Sequence, residues 1–147
     1  MTRGFLCVGL AACVTGHSQS ATRFEIHAAS LTESQDWQKA NLLDDPGTKV
    51  YVAPEVLLDN SDVALADAKQ DLGGQVLLII QMTPAGTARM GMASRVLLRQ
   101  RMAVMINGEV MTAPVVSAPL SGNRFAITGF KSLEDAQQIA AGIAPKK

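Results

Sequence analysis

The chain has 147 residues, of which 48% are hydrophobic and 18% charged, with 13 Lys and Arg against 13 Asp and Glu for a formal net charge of +0. This length and composition allow one globular domain of ordinary size with a short targeting segment, and the balanced charge lacks the basic footprint that nucleic-acid binding requires. Both cysteines, Cys7 and Cys13, lie at the extreme N-terminus and the two histidines are His17 and His27, so the rest of the chain has no disulfide framework, thiolate metal site or cysteine nucleophile.

Met1 to Gly4 carries one positive charge, on Arg3, and Phe5 to Val14 is an uncharged apolar run of ten residues. Such a run reaches ~15 Å as a helix, about half of a bilayer core, which fits the h-region of a signal peptide rather than a membrane span. Within it, Leu10-Ala11-Ala12-Cys13 resembles the lipobox of bacterial lipoproteins, where small residues admit the peptidase and the thiol takes a diacylglyceryl group. Lipidation of Cys13 is therefore expected, with a signal peptide over residues 1–12, a flexible polar tether over 13–22 that contains His17, and a folded domain over 23–147. Val14, not aspartate, follows the lipid site, which by the same resemblance favours the outer membrane. Two other readings stay open: a signal cut after Ser20, behind Ser18-Gln19-Ser20, giving a secreted or periplasmic protein, and an uncleaved first strand.

From Arg23 to Ala28, Phe24 and Ile26 alternate with Arg23, Glu25 and His27, the pattern of a half-buried strand with His27 on its exposed face. Ser30 to Thr48 is polar, and the spacing of Trp37, Ala40 and Leu43 predicts one or two helical turns capped by Thr32, with Trp37 folded back onto the body. Lys49 to Ala53 reads as a strand ended by Pro54. Asn60-Ser61-Asp62 is a helix start signal, and Val63, Leu65 and Ala66 predict a short helix ending near Gly73-Gly74. Gln75 to Met82 is a near-continuous apolar run, which predicts a central strand covered on both faces.

Thr83-Pro84 opens a helix to about Leu98 with an apolar stripe of Ala85, Ala88, Met92 and Val96. Arg101 to Ile106 is a strand, Asn107-Gly108 a type I′ hairpin turn, and Glu109 to Val116 the returning strand, in which Pro114 must occupy an edge, bulge or strand end. Ser121-Gly122-Asn123 turns the chain into a strand from Arg124 to Thr128. Ser132 with Asp135 opens the last helix as a capping box, with Leu133, Ala136, Ile139, Ala140 and Ile143 as its buried stripe. The order β-β-α-β-α-β-β-β-α makes the fold class α+β, a mostly antiparallel or mixed sheet with about three helices packed on it.

The C-terminal part carries a resemblance. Met102 to Val110 (MAVMINGEV), Thr112-Ala113-Pro114-Val115-Val116, Ala118-Pro119-Leu120, Ala126 to Phe130 (AITGF) and Leu133-Glu134-Asp135-Ala136 together resemble the head subdomain of the first periplasmic domain of SecD/SecDF, the protein-export membrane proteins. That family has an apolar strand ending in Asp-Gly, a returning strand ending in Ser-Ala-Pro-x-Ile, a second Pro-Ile step, an Ile-x-Gly turn and a Glu-Glu-Ala helix. Val50-Tyr51-Val52 and Leu58 to Val63 resemble the opening of the same subdomain, and Arg23 to Ala28 the strand before it. Asn107 stands where the family commonly has aspartate, and Gln100 near a common glycine. Within the resemblance, Asn107, Gly108, Ala113, Pro114 and Gly129 are structural motif residues, Gly129 supplying a positive φ before the last helix. The resemblance implies a periplasmic module that holds a translocating polypeptide and moves relative to its base. It does not carry over the proton-driven role of the family's transmembrane helices.

The remaining candidates read as structure. Among Met82, Met90, Met92, Met102, Met105 and Met111, Met90 and Met92 sit about 200° apart on a helix and Met102 and Met105 on opposite faces of a strand, which favours packing over a copper site or a shared peptide-gripping face. Arg95, Arg99 and Arg101 read as a solvated face, with an acidic partner or lipid head group as the alternative. No Gly-x-Ser-x-Gly elbow, His-Glu-x-x-His or phosphate loop occurs, and His27 is the last histidine, so neither an enzyme, a cofactor nor a metal is expected. The expected partner is a protein or unfolded polypeptide, taken along a sheet edge or in a groove beside the helix that Thr83-Pro84 opens. Membrane contact is expected through the lipid anchor alone. The alternative is an envelope sensor or inhibitory module with a small-ligand pocket lined by Trp37.

Overall fold

The computed structural model of the protein describes residues 22–43 and 45–144; the expected signal peptide, Cys13 and His17 lie outside these residues. The element order is β1 (Phe24–Ser30), β2 (Gln38–Asn41), β3 (Lys49–Val52), β4 (Leu58–Asp59), a 3-10 turn (Asn60–Asp62), β5 (Val63–Gln70), β6 (Val76–Met82), α1 (Pro84–Val96), β7 (Arg101–Ile106), β8 (Glu109–Thr112), β9 (Arg124–Ile127) and α2 (Leu133–Ile143). The fold is α+β. Among the described residues, the strand pairs are antiparallel and two α-helices, where about three were expected, pack on the sheets.

The strands form two sheets. The larger has six strands in the order β2-β3-β1-β7-β8, with β4 sharing the β3 side of β1. The smaller runs β5-β6-β9. Phe24, Ile26, Met102, Val104 and Ile106 on one face of the larger sheet meet Leu78, Ile80 and Met82 of β6, Met90 and Leu97 from the α1 region, and Ala140 and Ile143 of α2 in the main core. The opposite face of the larger sheet holds a second, smaller core of Ala29, Leu42, Val50, Val52, Ala103, Met105, Val110 and Ala113. The loop after β2 reaches the far edge of this sheet, where Leu43 N–H donates to the Val110 carbonyl at 2.9 Å.

Two segments expected to be helical are strands. Gln38–Asn41 is β2, paired with β3 from Gln38↔Val52 to Asn41↔Lys49; Thr32 caps no helix, and its amide bonds the Ser30 hydroxyl. The hairpin turn is built by Asp45-Pro46-Gly47-Thr48, in which Thr48 bonds Asp45 through both its amide (2.9 Å) and its hydroxyl (2.6 Å). Asn60-Ser61-Asp62 does start a helical turn, capped by Asp59 in a capping box with Asp62, but it lasts three residues. The chain then extends as β5, because β6 needs an antiparallel partner to satisfy its buried main chain. Asp71 closes that hairpin, its Oδ1 accepting the Gly73 and Gln75 amides at 2.9 Å each, while Gly74 takes φ 86°.

β6 is the central strand of its sheet, but it is covered on one face only. Val76, Leu78, Ile80 and Met82 are buried, and Leu77, Ile79 and Gln81 are half-buried on the outer face. At the C-terminal end, Asn107 (φ 53°) and Gly108 (φ 85°) make the tight turn between β7 and β8. α2 begins at Ser132, whose side chain accepts the Asp135 amide at 3.1 Å, and it buries Ala136, Ala140 and Ile143.

Candidate functional site

α1 decides the surface of interest. Thr83 caps it, accepting the Gly86 amide at 2.9 Å, and Pro84 fills its first position. The helix buries Gly86, Met90 and Ser94. The stripe expected to face inward, Ala85, Ala88, Met92 and Val96, is instead exposed, with Met92 at 64% and Val96 at 74%. The rotation has a steric cause. Gly86 presses against Asp62, and a Cβ at Gly86 would overlap the Asp62 backbone and lie 2.8 Å from its Cβ. The Thr83 amide bonds the Asp62 carbonyl at 2.9 Å. Ser94, fully buried, donates to the Gly91 carbonyl at 2.9 Å and accepts the Leu120 amide at 2.8 Å. Gly86 and Ser94 thus seat the helix closely on either side of buried Met90, and Met92 and Val96 are left on the outside.

Two of these outward side chains, Met92 and Val96, form one wall of a groove of about 670 Å³. Met92, Ala93 and Val96 face Trp37, Pro54 and Leu57 across it, with Glu55 and Arg89 also in the lining. Trp37 does fold back onto the body, as the end of the loop leading into β2. The groove is mainly apolar, and its Met, Trp and Pro surfaces are adaptable or rigid rather than hydrogen-bonding.

The opposite wall is a strap. The Ala53 amide donates to the Ala28 carbonyl at 2.9 Å and the Leu57 amide to the Ile26 carbonyl at 2.8 Å. Five residues, 53–57, therefore bulge out where β1 offers the single residue His27 between the two anchors. His27 was expected on an exposed face, but it is buried at 7%. Its Nδ1–H donates to the Ala53 carbonyl at 2.7 Å, and its Nε2 lies 3.1 Å from Glu25 Oε1. Arg23 Nε stands 3.9 Å from the other Glu25 oxygen. These three side chains line a polar cavity of about 410 Å³ with Asp36 and Gln38. Ala53 and Pro54 line both spaces, so the strap separates the polar cavity from the apolar groove.

Below the groove, Asp62 is buried at 2% and accepts the Asp59 amide at 3.1 Å, with Arg89 Nη1 at 3.5 Å. Hydrogen bonds from the Ser61 hydroxyl and amide hold the Asp59 carboxyl below the usual aspartate value; burial opposes them weakly, and the Arg89 charge adds to them. Asn60 ties three segments: Oδ1 accepts the Phe24 amide at 2.9 Å, and Nδ2 donates to the carbonyls of Thr22 (2.8 Å) and Ile143 (3.2 Å). In the sequence Asn60 belongs to a helix start signal and to the family-like run Leu58 to Val63, and neither pattern signals this tie.

The motif residues stand apart from the groove. Asn107 accepts the Arg23 amide at 2.8 Å beside the hairpin turn. Ala113 is buried and its carbonyl accepts Arg101 Nη1 at 2.6 Å; the Pro114 carbonyl, just past β8, accepts the Met102 amide at 3.0 Å. Gly129 has φ 101°. Five of the methionines (Met82, Met90, Met102, Met105 and Met111) are buried, and Met92 alone of the six faces solvent. Arg95 and Arg99 are exposed, and Arg99 has φ 70°. No helix among the described residues is long and apolar enough to cross a membrane.

The family model for the SecDF P1 head subdomain matches residues 31–144, a span that holds Trp37, the strap and all of α1. The chain belongs to this family. Among curated relatives, the protein translocase subunit SecDF of Thermus thermophilus is 33% identical over 84 residues, covering 57% of this chain and 11% of that protein. The protein translocase subunit SecD of Acidaminococcus fermentans is 29% identical over 84 residues, 57% of this chain and 20% of that protein. The chain thus spans a small part of the curated relatives it matches. A solved structure of SecDF, described as a membrane component that enhances protein export, superposes with a TM-score of 0.71 at 20% identity over 88% of this chain and 64% of that one. The likeness establishes the SecDF head fold for this chain.

Proposed function

We propose that this SecDF-type head is a non-catalytic module of the bacterial envelope that binds an extended, apolar-rich polypeptide segment in the groove beside α1, as an accessory to protein export. The observation that carries the reading is the outward apolar face of α1 opposite Trp37. Met92 and Val96 are left 64% and 74% exposed by a helix that turns Gly86, Met90 and Ser94 to the core. Burying such a face against a partner returns roughly 25 cal/mol for each Å² of apolar surface. Methionine and tryptophan suit a binder of many sequences, the first by flexibility and the second by area at low entropy cost. The relatives are named as protein translocase subunits, and the solved SecDF is described as enhancing protein export. A photo-crosslinking residue at Met92 in growing cells should capture polypeptides undergoing export, and one at exposed Glu134 on α2 should not. Equal capture at both positions contradicts the reading.

In this proposal the module faces the periplasm and is held to the membrane by lipid at Cys13, in the outer membrane by the Val14 resemblance. Cys13→Ser should abolish acyl labelling; persistent labelling removes the anchor from the account.

A second reading rests on the groove's volume. About 670 Å³ lies within the ~300–1,000 Å³ range of small-molecule sites, which suits an envelope sensor or inhibitory module that stacks a small apolar ligand on Trp37. A compound that raises the melting temperature and competes with polypeptide would favour it.

A further inference from the structure

β5 is an edge strand. It pairs with β6 and, among the described residues, with no other strand. Across the hairpin end the Asp71 amide donates to the Gln75 carbonyl at 2.9 Å, and the main-chain groups of an antiparallel strand alternate sides. Leu65, Asp67 and Lys69 therefore turn their N–H and C=O toward β6, while Ala66, Ala68 and Gln70 turn theirs to the free edge. The side chains of Asp67 and Lys69 are exposed on the outer face, one of each sign, at equal spacing from Ala68. Edge strands that resist pairing carry charges that repel a like edge. These two charges would attract one.

We propose that the β5 edge binds a second copy of this chain, antiparallel and centred on Ala68, to make one continuous sheet across a two-fold axis. In that register Ala68 faces the partner's Ala68 with reciprocal main-chain hydrogen bonds. Asp67 faces the partner's Lys69, and Lys69 faces the partner's Asp67. Centring the pair on Ala66 leaves both charges without a counterpart, and centring it on Gln70 runs the ladder off the end of the strand. The register is thereby singled out by charge and by the direction of the main-chain groups together.

Disulfide trapping in the full chain tests it, with the wild-type protein as the control for Cys7 and Cys13. Hydrogen-bonded partners lie about 5.5 Å apart at Cα, within disulfide reach, so Ala68→Cys should give a linked dimer on mild oxidation. Gln70→Cys, whose two copies sit four residues apart along the ladder at ~13 Å, should give at least tenfold less. Asp67→Lys or Lys69→Asp, each added to Ala68→Cys, should cut the yield severalfold, and mixing those two variants should restore it. Equal trapping at positions 68 and 70, trapping insensitive to the charges, or capture of a different protein at position 68 overturns the proposal.

Discussion

His27 Nδ1–H donates to the carbonyl oxygen of Ala53 at 2.7 Å. The bond holds the first residue of the strap that walls the groove, and it is made by a buried side chain on the strand the strap bypasses. His27→Phe keeps a ring in the site but removes the Nδ1–H donor and leaves the Ala53 carbonyl without that partner. The expected cost is about 1–3 kcal/mol in urea denaturation, with polypeptide affinity at the groove falling severalfold. A variant of wild-type stability and unchanged affinity would show that the strap is held by other means.

Gly86 and Gly91 lie on the same helix and should respond oppositely to alanine. Helix propensity alone favours alanine by about 1 kcal/mol at either position. At Gly91 the added Cβ meets the Leu120 carbonyl oxygen at 3.5 Å, an ordinary contact, so Gly91→Ala should raise the melting temperature. At Gly86 it meets the Asp62 backbone, so Gly86→Ala should destabilise by about 1–3 kcal/mol. Paired thermal melts check this, and stabilisation by Gly86→Ala would refute the steric account of how α1 is seated.

Much of this fold is legible in the sequence because its signals are local. Thr83-Pro84 caps α1, Asn107-Gly108 turns β7 into β8, and Ser132 caps α2, each by chemistry within a few residues. β2 and β5 were not read because their strand character comes from partners elsewhere. Ala64, Ala66 and Ala68 favour a helix intrinsically, and pairing with β6 overrides them. Asp45-Pro46-Gly47 and Gly73-Gly74 were hairpin signals that could have corrected both. The groove was hidden by a different error: hydropathy ranks Gly86 and Ser94 below Met92 and Val96, whereas close packing puts the small residues inside. That a groove lies beside this helix was legible; which face of the helix lines it was not.

Asp59 should give the protein part of its acid sensitivity. Its carboxyl is held below the ordinary value by the Ser61 hydroxyl and amide. A depressed folded-state value means that the stabilisation is complete above the unfolded value of about 3.9 and is lost as pH falls through the folded value. Asp59→Asn keeps an acceptor for the Ser61 amide but does not titrate. Wild type should exceed it in stability near neutrality by about 1 kcal/mol or less, and the difference should be smaller at an acid pH below the unfolded value of about 3.9. Urea denaturation at both pH values measures it. A difference that persists undiminished in acid would place the effect elsewhere.

The account turns on the groove beside α1, and Trp37 is the chain's one tryptophan, so its emission reports on that groove directly. The decisive measurement is a fluorescence titration with an unfolded, apolar-rich polypeptide that lacks tryptophan, on wild type and on Val96→Asp. Val96 is 74% exposed, so the substitution should leave the melting temperature within a few degrees. The account predicts a blue shift and saturable binding for wild type and at least a tenfold loss of affinity for Val96→Asp. Binding that leaves Trp37 emission unchanged, or equal affinity in the two proteins, would contradict it.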